Sequence, residues 1–143
     1  MQFVYDDGGR AAAGFKGDAG DCVCRAIAIA CQKPYLEVYD ALNVCAKDER
    51  ITKRRPKRSS ARTGVNKGII KKYLAGIGAK WVPTMHIGAG CKVHLRDGEI
   101  PMGRLVVQVS KHLVAVINGV VHDTYNPDRD ESRCVYGYWW VVP

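Results

Sequence analysis

With 143 residues the chain has the length of one domain, expected to span 1-143 and to bury a core without needing staples. Hydrophobic residues make up 47% and charged residues 25%, ordinary proportions for a globular fold, and no apolar run approaches the roughly 20 residues of a membrane span, which argues against a membrane partner. The net charge of +8 is local: ten Lys or Arg and no carboxylate lie between Arg50 and Lys72, and the rest of the chain is close to balanced.

In chain order, the Gly- and Ala-rich start (Gly8-Gly9, Ala11-Ala12-Ala13-Gly14, Gly17, Gly20) reads as an extended lead-in with turns. It has no basic region followed by an apolar stretch, so no export signal is read and a cytoplasmic setting is expected. In that setting the six cysteines, at 22, 24, 31, 45, 91 and 134, are expected as reduced thiols. Asp21 is suited to cap a helix that opens at Cys22. Residues Val23 to Cys31 are apolar except for Arg25, the pattern of a buried central helix. The alternation Ala26-Ile27-Ala28-Ile29 mimics a strand, but Ala is depleted from strands, so helix is preferred.

Pro34 suits the first turn of a second helix, whose buried face carries Tyr35, Val38, Leu42 and Cys45. The stretch of about 49-65 is basic, contains Pro56 and Ser59-Ser60, and lacks periodicity, as an exposed loop does. A third helix is expected from Asn66 to Ile77, with Ile70, Tyr73, Leu74 and Ile77 inward and Gly78 ending it. Strands follow at Lys80 to Met85, Leu105 to Val109, Leu113 to Ile117, Val120 to Tyr125 and Cys134 to Val142. Helices first and strands later predict an α+β domain with an antiparallel sheet.

Asn118-Gly119 between apolar runs is the clearest local signal, a two-residue hairpin turn. That turn pairs Ile117 with Val120, and continuing the register sets Val114 opposite Asp123 and His112 opposite Tyr125. Directly opposed residues share a face, so His112 and Asp123 become diagonal neighbours and His122 points the other way. A carboxylate beside an imidazole fixes its tautomer and stabilises its charged form. Cys22, at a helix start where N–H groups and the dipole favour a thiolate, supplies the nucleophile for such a pair. Cys24 lies about 200° further round the helix and is less well placed.

Asp21-Cys22 before an Ala-rich helix, then the run Leu105 to Val116 carrying His112, then Asp123, resembles the papain-like cysteine peptidases. The closest flavour is the bacterial peptidases that remove double-glycine leaders. Over most of its length the chain also resembles small uncharacterised proteins of bacteria and their phages. The resemblance implies N-terminal helices with the nucleophile at a central helix start, packed on a C-terminal antiparallel sheet. It also implies a thiol hydrolase, a peptidase or amidase, with Cys22 as nucleophile, His112 as base, Asp123 orienting it, a peptide or protein substrate and no cofactor. For a phage-encoded chain the setting is the host cytoplasm or the virion. Residue 23 is Val where the family has Gly, and the interval from His112 to Asp123 is shorter than usual. The family places an oxyanion-hole Gln a few residues before the cysteine, and Lys16 holds that position here. Related cell-wall amidases and peptidases use a second His near the end of the next strand, which keeps His122 as the alternative to Asp123.

Two other chemistries compete. Cys91, His94 and His86 lack a second paired-ligand cluster at zinc spacing, so no metal is expected. The basic segment offers Arg54, Arg55, Lys57, Arg58 and Arg62 as anion- or substrate-binding residues, and nucleic acid is the alternative partner.

Overall fold

The computed structural model describes residues 1–17 and 19–141. Three helices, α1 (Cys22–Cys31), α2 (Tyr35–Ala46) and α3 (Lys67–Gly76), precede most of the strands. The strands are β1 (Gln2–Tyr5), β2 (Lys80–Pro83), β3 (Arg104–Val109), β4 (His112–Ile117), β5 (Val120–Asp123) and β6 (Val135–Trp140). They form one mixed sheet in the order β1-β5-β4-β3-β6-β2. Among the described residues, no helix is long and apolar enough to cross a membrane.

The sheet is antiparallel except at one edge. There β1 pairs in parallel with β5, from Gln2 opposite Val120 to Tyr5 opposite Asp123. The N-terminal lead-in therefore includes an unforeseen strand. Its four residues are all exposed, so it has no buried face to leave an alternating signature.

Alternation divides the core into two layers. Val106, Leu113, Ala115 and Trp139 face the helices and join Ile27, Val38, Leu42, Ile70 and Leu74. Leu105, Val107, Val109, Val114 and Val116 face the opposite way, against Leu95 and Ile100 from the long connection before β3. Both faces of β3 and β4 are covered, which explains their near-continuous apolar runs. Helix α1 lies against β4, α2 packs on α1, and α3 packs on α2.

Several local expectations shift. Pro34 is the residue before α2 rather than its first turn, with ψ 140 in the extended range. Helix α3 stops at Gly76, and Gly78 (φ 87) turns the chain just beyond it. Ile77 lies past the helix end and is 38% exposed, not inward. The Asn118-Gly119 turn has φ 49 and 79, the paired positive values of a type I′ hairpin, and Ile117 opposes Val120. The 49-65 segment is less open than its composition suggests. Glu49 accepts from the Ser59 hydroxyl and the Asn66 amide, Ser60 and Gly64 bridge each other, and Ala61 is buried.

The expectation of six reduced thiols fails for one pair. Cys91 and Cys134 form a disulfide, while Cys22, Cys24, Cys31 and Cys45 are free. The backbone brings the pair together: Leu95 N–H donates to Arg133 (2.8 Å) and Val135 N–H to Val93 (2.8 Å), laying this stretch beside the start of β6. The bridge closes a loop with a sequence separation of 43, for which the chain-entropy account gives about 4 kcal/mol. Reduction is expected to lower Tm measurably, Cys134→Ser to lower it equally, and that variant to ignore further reductant. An unchanged Tm on reduction would show that the backbone pairing alone secures the strap.

Candidate active site

Cys22 is the first residue of α1 and sits half-buried at the wall of a cleft of about 690 Å³. Asp21 holds the position before it, as anticipated, but makes no side-chain cap. Its carboxylate turns inward instead, accepting from Arg25 one turn on and from the Tyr35 hydroxyl at 2.6 Å, with Arg10 at 3.4 Å. A buried carboxylate this short of water is held by charge and hydroxyl donors, which outcompete the helix N–H groups for it.

The opposite wall begins at the tight turn from β3 into β4, where Lys111 (φ 55) reverses the chain and His112 opens β4. His112 Nε2 lies 2.6 Å from Asp123 Oδ2, and both side chains are buried. The β4–β5 pairing ends at Ala115 opposite His122, so His112 and Asp123 lie beyond its last rung. Strict alternation would send His112 toward Val114 and Val116, away from the helices. At the strand ends the two residues instead meet Cys22 and Arg25 of α1. His122 turns away and lies 3.6 Å from Asp6, so the alternative third residue is not beside His112.

With Nε2 taken by Asp123, Nδ1 is the nitrogen left for Cys22. Burial pushes the Cys22 thiol up, yet hydrogen bonding and charge from His112, the Leu113 backbone and Arg25 together bring it below its ordinary value. Burial pushes the His112 imidazole down, but its bonds to Asp123 and Cys22 raise it to about 9. The two shifts are two sides of one coupling, in which each charged form stabilises the other. Cys24 behaves oppositely: burial and the nearby Asp21 push its thiol up to about 12, as befits a packed residue.

Arg25 is the site residue that the sequence reading passed over. Its side chain is 12% exposed, donates to Asp21, and lies 3.3 Å from Asp123 through Nη2. It thereby ties the start of α1 to the carboxylate behind His112. The available signal was its place as the lone charge in an apolar helix, since a buried guanidinium must have partners. Around the pair, Tyr125 lies half-exposed with its ring centroid 5.3 Å from that of His112. Gln108 donates to the carbonyls of Val109 (2.9 Å) and His112 (3.3 Å), bracing the turn.

The remaining candidates lie elsewhere. Lys16 is exposed and does not line the cleft; its carbonyl accepts from Arg10 and Arg62. Arg58 donates to the carbonyls of Ala46, Lys47 and Glu49 at the end of α2, which gives it a role in the fold. Lys57 contributes its carbonyl to Asn66. Arg54 and Arg55 do line a separate cleft with Arg50 and Lys72, of about 470 Å³. Among the described residues, no group of three or more His, Cys, Asp or Glu is arranged to hold a metal. No family model, curated protein or solved structure matches this chain.

Proposed function

We propose that the protein is a cysteine-dependent hydrolase of amide bonds, a peptidase or amidase built on a papain-like plan. The observation that carries this is the coupled array Cys22–His112–Asp123, of which Cys22 and His112 line an open cleft. A lowered thiol, a raised imidazole and a buried carboxylate on its far nitrogen are the parts that nucleophilic acyl transfer needs.

In this reading the Cys22 thiolate attacks the carbonyl carbon of the bound amide. The first-turn N–H groups of α1 have no intrahelical partners, which makes them the donors for the charge that develops on the carbonyl oxygen. The tetrahedral adduct collapses as the C–N bond breaks, and His112 gives its proton to the departing nitrogen. His112, now neutral, takes a proton from water as the water oxygen attacks the thioester. The acid leaves, and the thiolate and imidazolium return. Asp123 holds the ring in the required tautomer throughout, and Arg25 holds Asp123.

The test is alkylation of the native protein with iodoacetamide at pH 6, mapped by mass spectrometry. Cys22 is expected to react far ahead of Cys31 and Cys45, and His112→Ala to abolish that lead. Equal rates at the three thiols would sink the proposal. A second reading, nucleic-acid binding through the basic segment, draws on the cleft where Arg50, Arg54, Arg55 and Lys72 meet. It would prevail if charge reversal at Arg54 and Arg55 abolished function while Cys22→Ala left it intact.

A further inference from the structure

The cleft at Cys22 does not end at His112. It runs past Gln108 into a second groove of about 240 Å³, and Lys67, Ile70, Gln108 and Tyr136 line both. One side of the groove is the α3 face that carries Lys67, Ile70 and Lys71. The other is the helix-facing surface of β2 and β6, where Trp81 and Trp139 are register partners with ring centroids 5.2 Å apart.

Two features mark the groove as built. Trp81 is 42% exposed although Trp139, beside it, is 7% exposed, so a large aromatic face is left open at the edge of the cleft. Its indole lies diagonally across Gly137, where any added Cβ would collide with the ring. Only a residue without a side chain lets the indole lie there and form the groove wall. The charge is one-sided as well. The groove is lined by two ammonium groups and no carboxylate, and among the described residues neither Lys67 nor Lys71 forms an ion pair. Lys67 lies 6.0 Å from the Tyr136 ring centroid, at the junction of cleft and groove.

We propose that this groove is the specificity subsite of the Cys22 centre, taking an aromatic or bulky apolar side chain of the substrate next to an acidic residue. This rests on the reading of Cys22 as a nucleophile. The volume suits one large side chain, for which the indole of Trp81 offers a stacking surface. A neighbouring carboxylate would find Lys67 and Lys71 without competing acids.

Two readouts separate the claims. The first is the rate at which peptidyl chloromethyl ketones label Cys22, using acetyl-Phe-Glu-Gly, acetyl-Phe-Lys-Gly and acetyl-Ala-Glu-Gly forms, with iodoacetamide as the probe that ignores the groove. The Phe-Glu probe is expected to react at least about tenfold faster than the other two. Trp81→Ala should erase the preference for Phe, and Lys71→Glu, on the exposed face of α3, should abolish the preference for Glu over Lys, because it leaves one ammonium and one carboxylate in the groove. Both variants should keep the wild-type iodoacetamide rate. The second readout is calorimetric binding of unreactive N-acetyl-Phe-Glu-amide, which needs no nucleophile. Selective iodoacetamide labelling of Cys22 with no probe preference would overturn the subsite and leave the thiol site standing. If Cys22 proved unreactive, dipeptide binding lost in both variants would still establish the groove as a peptide site, and absent or unaltered binding would overturn it.

Discussion

Replacing His112 with Ala is expected to carry the Cys22 thiol from below its ordinary pKa to above it. Burial is the largest influence on that thiol and acts upward, and the His112 hydrogen bond and charge are the next largest and act downward. Their loss leaves only the Leu113 backbone and Arg25 against burial. Once the thiol's pKa lies above the ambient pH, each further unit upward removes about nine-tenths of the thiolate. A less acidic thiolate is intrinsically more nucleophilic and offsets part of this, so alkylation at pH 7 should slow by at least about tenfold. If the protein hydrolyses amides as proposed, that turnover should fall further, by on the order of 10³-fold or more, because the leaving nitrogen loses its proton donor as well.

The pH dependence has a definite sign. The thiolate–imidazolium pair exists above the lowered Cys22 value and below about 9, where His112 gives up its proton. Alkylation needs only the thiolate, so its rate should rise with pH and then hold. Turnover of a peptide amide needs the imidazolium too, so it should rise and then decline as pH passes about 9. Asp123→Asn removes a carboxylate that raises His112 and should move the alkaline limb toward neutral pH, leaving a narrower bell. If that limb stayed near 9 in the Asn variant, Asp123 would have no part in setting the imidazole.

Arg25→Ala is the substitution expected to cost the most stability. It removes the cation between two buried carboxylates, Asp21 at 1% and Asp123 at 3% exposure. Breaking a buried ionic network by deleting one partner typically costs about 3–5 kcal/mol, because the stranded charges remain. Asp21 would keep Tyr35 and Arg10, and Asp123 would keep His112 and the Thr124 N–H at 2.7 Å, which places the expectation near 3 kcal/mol. Urea midpoints measure it. Arg25→Lys should recover only part, since one ammonium cannot fork toward two acids as a guanidinium does. The same variants should slow Cys22 alkylation at neutral pH, because Arg25 also helps hold the thiolate. A loss below about 1 kcal/mol for Arg25→Ala would show that the remaining partners suffice.

The pairing of His112 with Asp123 illustrates how far local pattern reaches. Asn118-Gly119 sets the turn and the turn sets the register, but the paired rungs stop at Ala115 opposite His122, so His112 and Asp123 meet beyond the reach of that alternation, with His122 turned away. The same alternation says nothing about which layer covers each side. It points His112 toward the layer of Val114 and Val116, whereas the strand-end position brings it to α1. Asp21 takes the predicted N-cap position but not the capping bond, for a related reason. A cap is a local preference worth about 1 kcal/mol, and a buried contact with Arg25 and Tyr35 outweighs it. Lys16 is exposed and is not among the described residues that line the cleft, since position before a helix does not determine which way an exposed chain turns.

The sequence by itself determined the three helices, five of the six strands and the hairpin register, and it singled out Cys22, His112 and Asp123, which the fold brings together. These follow from periodicity, turn chemistry and the reactivity of each side-chain type, all short-range properties. Only the tertiary structure decided the parallel edge strand, the Cys91–Cys134 bridge, the Arg25 clamp and the aromatic groove beyond Gln108. Each depends on residues far apart in the chain, from Gln2 against Val120 to Lys67 across from Trp81. Contacts of that kind are set by how the layers pack, and no local pattern records them.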